Sequence, residues 1–253
     1  MREIKLYGYA TSPFVRKTAC FLYFKGLEFK HVPVNPLAPE LTLAHTNGTQ
    51  VPVLEIDGEF RRESSEHAFW LDELFPENPL CPAVNAQRVK QIDHWISDTY
   101  LRSIFRTDGD FDLQFRFRGW RLAALVNAHT PLSSQDQHHW PNLLRTMPFI
   151  VEMTKPIDTT ESRDDMRLRI FSEFLAHLGD GPYLGGFEQP TMLDMAIFPQ
   201  MIFGYLFGLE ETLSAAQHPA VRSWMQKVAT HLPDNPTLIA SHMQINRLED
   251  ALR

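Results

Sequence analysis

Apolar residues recur at two different spacings within the first 76 residues. Ile4 and Leu6 alternate with polar neighbours, as in a β-strand. Residues 13–25 carry apolar side chains at helical spacing, and Gly26 is predicted to end this helix. Residues 29–34 are predicted to form a second short strand. Because this strand returns after one helix, we expect a parallel pair joined by a right-handed crossover, which is a βαβ unit.

A weaker helix and a hairpin are predicted next. Residues 37–45 show partial helical spacing. Residues 51–60 contain two apolar runs on either side of Asp57 and Gly58, a dipeptide that favours a tight turn between antiparallel strands. This part of the chain therefore predicts a short helix followed by a β-hairpin.

One more helix completes the first part of the chain. Ser64 or Ser65 is predicted to cap it, since a serine hydroxyl accepts from the free N–H groups of a first helical turn. Apolar residues then lie on one face until Pro76 ends the helix. The predicted order of elements is β, α, β, α, β, β, α.

Prolines mark a boundary after this helix. Residues 76–82 contain three prolines, which interrupt helix and favour a stiff extended connection. We therefore predict a first domain over residues 1–76, a linker over 77–84 and an all-helical second domain over 85–253. Segments with helical apolar spacing in the second domain cover residues 84–105, 115–128, 163–178, 192–207 and 221–232.

Composition narrows the class of protein. With 43% apolar and 11% aromatic residues, the chain can bury a large core. A net charge of −7 argues against binding to nucleic acid, which needs a clustered positive field. No apolar run approaches the roughly 18 residues that span a bilayer, so we expect no membrane association and no cleaved leader.

Cysteine and histidine usage adds two expectations. Cys20 and Cys81 are too few to cross-link a chain of this size and have no metal-ligand spacing, which favours a reducing cytoplasm. Among eleven histidines, His138 and His139 are adjacent, and neighbours on a regular element point in different directions. We therefore expect solvated histidines and no metal site.

Candidate chemistry begins where the first strand meets the first helix. Ser12 is the predicted N-cap and Pro13 the first helical residue. Ser12 as a plain cap needs no function. Arg16 and Lys17, however, place two cations where the helix dipole disfavours positive charge, so a bound anion nearby would reconcile them.

Two further motifs lie in the hairpin and at the last helix of this domain. Pro52 cannot donate to a ladder, so it is either a trans edge-strand proline or, as a cis Val51-Pro52 bond, turns the backbone of Val51 toward a ligand. Glu63 and Ser64 offer a carboxylate beside free helix N–H groups. This pair suits an amino acid head group or is an ordinary helix start.

These motifs, in this order, resemble the cytosolic glutathione transferase family over nearly the whole chain. Residues 12–14 (Ser-Pro-Phe) are similar to the tau and omega motif, residues 51–54 to the cis-proline segment, and residues 63–64 to the glutamate-serine pair. In the second domain, Thr191 and Asp194 match a structural capping box of this family. The resemblance implies a thioredoxin-like βαβαββα domain followed by an all-helical glutathione transferase domain.

The resemblance also implies roles for individual residues. Ser64 would hold the α-carboxylate of the γ-glutamyl group of glutathione, with Glu63 near its amine. Gln50 and Val51, positioned by a cis Pro52, would bind the cysteinyl unit. Glutathione would be a co-substrate, and no other cofactor is implied.

Ser12 would then face the sulfur and keep it ionised. Thr11 and Tyr9 are the alternative hydroxyls if the loop register differs. A serine cannot form the mixed disulfide that omega-like members form at this position with a cysteine, so we expect conjugation of glutathione rather than thiol exchange. Cys20 is expected to be a buried, inert thiol.

The implied reaction partner is a small apolar electrophile bound between the domains. The alternative is a non-catalytic binding or scaffolding protein that kept the fold.

Residues 109–155 are longer and less regular than the usual connection in the family and are expected to form a lid or a partner surface. A homodimer is also implied. Candidate acceptor-site aromatic residues are Tyr100, Phe105, Phe111, Phe115, Phe117 and Trp120.

Overall fold

The computed structural model describes residues 2–106 and 112–253. Its first part has the predicted order β, α, β, α, β, β, α, and the βαβαββα prediction is confirmed. The elements are β1 (Ile4–Gly8), α1 (Pro13–Phe24), β2 (Lys30–Pro33), α2 (Glu40–Leu43), β3 (Val53–Ile56), β4 (Glu59–Arg61) and α3 (Ser64–Leu74).

The four strands form one mixed sheet in the order β2-β1-β3-β4. β1 and β2 are parallel, with Leu6 opposite His31, and β1 and β3 are antiparallel, with Leu6 opposite Leu54. Asp57 and Gly58 both have positive φ, 51° and 90°, as a two-residue hairpin turn requires. The predicted hairpin is therefore confirmed.

The start of α3 differs from the prediction. Its N-cap is Glu63, whose side chain makes no capping hydrogen bond, and Ser64 is already helical. His67 N–H donates to the Glu63 carbonyl oxygen at 3.1 Å, which closes the first turn. The Ser65 hydroxyl accepts from the Lys17 ammonium group instead of capping the helix. The prediction of a serine cap was wrong because tertiary contacts set the helix start.

The described residues after this domain form a helical domain. A first long helix consists of α4 (Ala86–Trp95), one π-helical turn (Ile96–Tyr100) and α5 (Leu101–Ile104). The others are α6 (Leu113–His129), α7 (Ser134–Thr146), α8 (Pro148–Thr154), α9 (Arg163–Leu178), α10 (Met192–Leu206), α11 (Pro219–Ala229) and α12 (Leu248–Leu252). None of the helices in the two described ranges has the length and apolar character needed to cross a membrane.

The extension after α5 is more regular than expected. Its described residues form α6, α7 and α8, and the proline- and histidine-bearing stretch is helical from Ser134 onward, capped by the Ser133 hydroxyl. Pro141 lies inside α7 against Gly119 of α6, where a Cβ atom would be 2.8 Å from the Pro141 Cγ. A glycine opposite the proline ring lets the two helices approach closely, and the sequence pattern does not reveal this contact.

The start of α10 is fully buried. The predicted capping box of Thr191 and Asp194 is present. Asp194 also accepts from the indole N–H of Trp224 at 2.7 Å and from the Leu184 N–H at 2.8 Å. These bonds satisfy the polar groups of a helix start that water does not reach. One apolar core joins the sheet domain to this helix.

Candidate functional site

Ser12 lies at the N-cap of α1, as predicted. Its hydroxyl oxygen accepts from the Val15 N–H at 3.4 Å, a long hydrogen bond. The hydroxyl hydrogen has no acceptor within the described residues. Although Ser12 is only 4% exposed, it lines a cavity of about 510 Å³, which we call the Ser12 cavity. The hydroxyl can therefore still donate a hydrogen bond to a ligand.

The Ser12 cavity lies between the two domains and is mainly apolar. Phe105 contributes from the end of α5, and Met147 and Phe149 contribute from the extension. Tyr9 and Thr11, the alternative hydroxyls, line the same cavity. Burial raises the pKa of Tyr9 to about 12, so its phenol stays protonated at neutral pH.

The other predicted site residues line a second cavity of about 480 Å³, which we call the head-group cavity. They are Gln50, Val51, Pro52, Glu63 and Ser64. Gln50, Val51 and Phe149 also line the Ser12 cavity, so the two cavities adjoin. Together they form a space into which an elongated polar molecule could extend from the start of α3 to Ser12.

Two backbone features of the head-group cavity fit the sequence prediction. The Val51-Pro52 peptide bond is cis. The start of α3 leaves the N–H groups of Ser64 and Ser65 without intrahelical partners, as every helix start does. Such N–H groups, with the helix dipole behind them, favour a bound carboxylate.

The structure adds residues from α4 that the sequence analysis did not identify. Lys90, Asp93 and His94 line the head-group cavity together with Ser64 and Ser65. No local pattern in α4 marks these residues, because they reach the cavity through the docking of one domain on the other. The cavity therefore presents both cations and carboxylates, the complement of an amino acid head group.

Arg16 and Lys17 are held by protein partners and do not line the Ser12 cavity, where the sequence analysis expected them to attract an anion. The Arg16 guanidinium donates to the Ala10 carbonyl oxygen and to the side chain of Gln200 on α10. Burial lowers its pKa to about 9, so it remains a cation at neutral pH. The Lys17 ammonium is fully buried and donates to Asp93 at 2.8 Å. Both cations join the domains instead of facing the Ser12 cavity.

The predicted acceptor aromatics divide into three groups. Phe105 lines the Ser12 cavity, whereas Tyr100 and Phe115 line a third cavity behind Thr11. Phe117 and Trp120 are exposed and line neither. Phe111 lies outside the described residues. Phe149, which the sequence analysis did not select, packs against Phe14 and Phe105 with ring centroids 6.5 and 5.5 Å away.

The structure also bears on the predictions about Cys20 and about metal sites. Cys20 is fully buried, its sulfur lies 3.6 Å from the Pro236 carbonyl oxygen, and burial raises the pKa of its thiol. A neutral, enclosed thiol of this kind is unreactive. Within residues 2–106 and 112–253, no group of three or more histidine, cysteine, aspartate or glutamate side chains is arranged to hold a metal ion.

Comparisons with known proteins agree with this architecture. Residues 6–79 match the family model for the glutathione S-transferase N-terminal domain. Comparison with curated proteins gives no match. A glutathione S-transferase from Rhodospirillum rubrum has a TM-score of 0.60 at 19% identity, covering 100% of this chain and 99% of that one.

Two further solved structures share the fold. Glutathione transferase Omega 3C from Trametes versicolor has a TM-score of 0.54 at 15% identity, over 94% of this chain and 90% of that one. Maleylacetoacetate isomerase from Anaeromyxobacter dehalogenans, solved with dicarboxyethyl glutathione and citrate in its active site, has a TM-score of 0.53 at 20% identity, over 95% of each chain. At these identities the likeness concerns the fold.

Proposed function

The chain belongs to the glutathione S-transferase family, and on this premise we propose that it is a glutathione transferase in which Ser12 activates the glutathione thiol for attack on a small apolar electrophile. One observation carries the proposal. The Ser12 hydroxyl, with its hydrogen uncommitted among the described residues, lines an apolar cavity that adjoins the head-group cavity.

Glutathione fits the two cavities in one direction. Its γ-glutamyl carboxylate accepts from the N–H groups of Ser64 and Ser65 at the start of α3, and its ammonium group lies near Glu63. The backbone of Val51 pairs with the cysteinyl unit, beside Gln50 and Pro52. The thiol then reaches the Ser12 cavity, where the Ser12 hydroxyl donates to the sulfur.

The energy required is within the reach of these groups. A free thiol has a pKa near 8.5, and lowering it by about two units needs roughly 2.7 kcal/mol of preferential thiolate stabilisation. A hydrogen bond to a charged group supplies about 1.5–3 kcal/mol, and a helix N-terminus adds up to about 1 kcal/mol. Ser12 and the start of α1 together are therefore sufficient.

The reaction forms a sulfur–carbon bond. The thiolate, having lost its proton to solvent, donates an electron pair to an electrophilic carbon. In a substitution, the leaving group departs with its bonding pair. In an addition to a conjugated double bond, the displaced pair takes up a proton from solvent. The mainly apolar wall of the Ser12 cavity supports an electrophile with an apolar body.

Ultraviolet titration of the thiolate of bound glutathione tests this function. We expect the thiol to titrate about two pH units lower on the wild type than in free solution. In Ser12→Ala, the thiol of bound glutathione should titrate at a pH close to that in free solution. This variant should also reduce conjugation of a model electrophile by about 10-fold or more. Thr11→Val and Tyr9→Phe, which remove the other two hydroxyls of the cavity, should have smaller effects.

The possible results separate the enzyme from its alternative. If glutathione binds the wild type but its thiol titrates as in free solution, the chain is a non-catalytic binding protein. If Ser12→Ala conjugates at the wild-type rate while Tyr9→Phe does not, the activating hydroxyl is Tyr9.

We also propose the homodimer and the cytoplasmic location expected from the family, and sedimentation of the purified chain tests the dimer.

A further inference from the structure

A third cavity, of about 530 Å³, adjoins the Ser12 cavity on the side of the helical domain. Thr11 and Ile104 line both cavities and form the boundary between them. We call it the arginine cavity, because five of the described residues that line it are arginines and one is a carboxylate. The arginines are Arg16, Arg106, Arg118, Arg163 and Arg167, and the carboxylate is Glu210.

This concentration of positive charge contrasts with the chain as a whole, which carries a net charge of −7. A cleft lined by one sign of charge focuses the field and raises the local concentration of oppositely charged ligands. Glu210 is the single carboxylate among the described lining residues, so the arginines outnumber it five to one. Among the described lining residues, positive charges therefore outnumber negative ones.

Arg118 and Arg167 are the arginines that a ligand can reach most easily. Both are exposed to solvent at the cavity edge. Arg118 forms no ion pair with any residue of the described ranges, and Arg167 pairs with Asp164, which is itself 86% exposed, at 3.3 Å. An exposed ion pair of this kind contributes little energy, so an incoming anion can displace it.

Tyr100 supplies a neutral hydrogen-bond donor in the same cavity. It is the last residue of the π-helical turn that interrupts the first long helix of this domain. Single π-helical turns occur frequently at functional sites. The Tyr100 hydroxyl has no hydrogen-bond partner among the described residues. Burial, together with the charge of Glu210, raises the pKa of Tyr100, so the phenol keeps its proton at neutral pH.

The rest of the cavity wall is mixed: Thr11, Ser103, Gln200 and Ser214 are polar, and a large part of the remainder is apolar. The apolar part includes Ile170 and Phe171 of α9 and Met201 and Phe203 of α10. A wall of this kind does not suit a small inorganic ion, which would leave the apolar surface wet. It suits an organic anion, whose hydrocarbon part displaces water while its charged group meets the guanidinium groups.

We propose that the preferred electrophile of this enzyme carries a carboxylate, which binds in the arginine cavity to Arg118 and Arg167 with a hydrogen bond from Tyr100. The reactive carbon then lies across the Thr11 boundary in the Ser12 cavity, beside the sulfur. This inference rests on the proposed function and specifies its substrate class as electrophilic carboxylic acids of aryl or similar size.

A pair of matched electrophiles tests the proposal. 4-Chloro-3-nitrobenzoate and 4-chloro-3-nitrobenzamide both exchange chloride for the glutathione sulfur and differ in charge. The carboxylate activates the ring less than the carboxamide, so we expect the benzoate-to-benzamide ratio of kcat/KM on wild type to exceed the ratio of their rates with free glutathione. The double variant Arg118→Gln/Arg167→Gln should lower kcat/KM for the benzoate about 10-fold, a change of about 1.4 kcal/mol, and alter that for the benzamide less than about twofold.

Arg88→Gln provides the matched control. Arg88 is an exposed arginine of α4 that lines none of the three cavities, and its replacement removes one positive charge by the same substitution as each member of the double variant. Arg88→Gln should leave the ratio of kcat/KM for the benzoate to kcat/KM for the benzamide unchanged. Tyr100→Phe should reduce that ratio by a smaller factor. A benzoate-to-benzamide ratio of kcat/KM on wild type no higher than that of the reactions with free glutathione, or the same loss in Arg88→Gln, would overturn the proposal.

Calorimetric titration of the benzoate separates this inference from the proposed function. If wild type turns over neither electrophile, the proposed function fails, and binding that weakens in the double variant still supports an anion site. If the benzoate binds wild type and the double variant equally, the arginine cavity is not its site, whatever the activity. Both arginines are exposed, so the variants should fold, and their melting temperatures verify this.

Discussion

The Arg16 guanidinium of α1 binds the side-chain amide oxygen of Gln200 on α10 through two N–H groups, at 2.8 and 3.0 Å. Gln200 in turn donates its amide nitrogen to the Pro13 carbonyl oxygen at 2.9 Å. The guanidinium also lies 3.9 Å from the ring centroid of Phe203. These contacts fix the first turn of α1, which includes the residue after Ser12, against the helical domain.

Gln200→Ala tests this connection. The change removes the acceptor for two N–H groups of a buried cation, and a buried group that loses its partner costs about 1–3 kcal/mol, more when it is charged. We expect the free energy of unfolding in urea to fall by about 2–3 kcal/mol. We also expect weaker thiolate stabilisation, because the start of α1 is less well fixed.

Gln91→Ala is the matched control for this change. Gln91 is an exposed glutamine of α4, and its replacement should change the free energy of unfolding by less than about 0.5 kcal/mol. If Gln200→Ala were equally harmless, the contact with Arg16 would not contribute to stability.

The buried pair of Lys17 and Asp93 leads to a second prediction. Lys17 is fully buried and has Asp93 and the Ser65 hydroxyl as its hydrogen-bond partners among the described residues. Asp93→Asn would leave a buried ammonium group without a counter-charge, and breaking a buried pair in this way costs about 3–5 kcal/mol. We expect a loss of this size, measured on the ligand-free protein by chemical unfolding.

The double variant Lys17→Met/Asp93→Leu separates charge compensation from packing. Replacing both partners by apolar residues of similar size is often neutral. We therefore expect the double variant to recover most of the stability that Asp93→Asn loses. A double variant that is less stable than the single one would show that the pair is favourable in itself and not merely a compensated charge.

Phe149 of the extension leads to a prediction about selectivity. Its ring lines both the Ser12 cavity and the head-group cavity and packs against Phe14 and Phe105. Phe149→Ala enlarges the space beside the sulfur. We expect the kcat/KM ratio of a bulky to a small aryl electrophile to rise several-fold, and glutathione to bind more weakly.

Val151→Ala controls for changes in α8 itself. Val151 is 42% exposed and lines neither cavity, so the ratio between the two electrophiles should not change. An equal change in both variants would mean that the effect comes from loss of the helix rather than from the cavity wall.

His67 gives a prediction about pH. Its ring is fully buried, 3.0 Å from the Thr18 hydroxyl and 3.0 Å from the Arg61 carbonyl oxygen. Burial, with a smaller effect of the Lys17 cation, lowers the pKa of His67 to about 4. The unfolded chain, with a pKa near 6.5, takes up the proton first. Stability is therefore present above pH 6.5 and is lost as the pH falls toward 4, by up to about 3 kcal/mol.

The variant His67→Gln should flatten this dependence. The quantity to compare is the change in the free energy of unfolding between pH 7 and pH 4.5, not its absolute value, because the variant itself is less stable. Asp194, whose pKa burial raises to about 6, acts in the opposite direction but contributes equally to both proteins. His138→Gln, at an exposed position of α7, is the control, and its free energy of unfolding should change between the two pH values as in the wild type.

Parts of the fold and of the candidate site follow from short stretches of sequence. The Asp57-Gly58 turn, the N-cap role of Ser12 and the box of Thr191 and Asp194 each depend on a few neighbouring residues, and the structure has all three. The cis bond at Pro52 required the resemblance to a family, since the residues alone favour trans. Helix α7 was missed because Pro141 indicates a break, whereas the structure places this proline against Gly119.

The sequence by itself determined the order of strands and helices in the first domain, the Ser12 cap of α1 and the capping box of α10, because hydrophobic spacing and capping act within a few residues. The tertiary structure alone decided that Arg16 and Lys17 are buried at the domain interface and that Phe149 reaches the site. It also decided that five arginines line one cavity. These groups lie far apart in the chain, and only the packing of the helical domain on the sheet domain brings their side chains together.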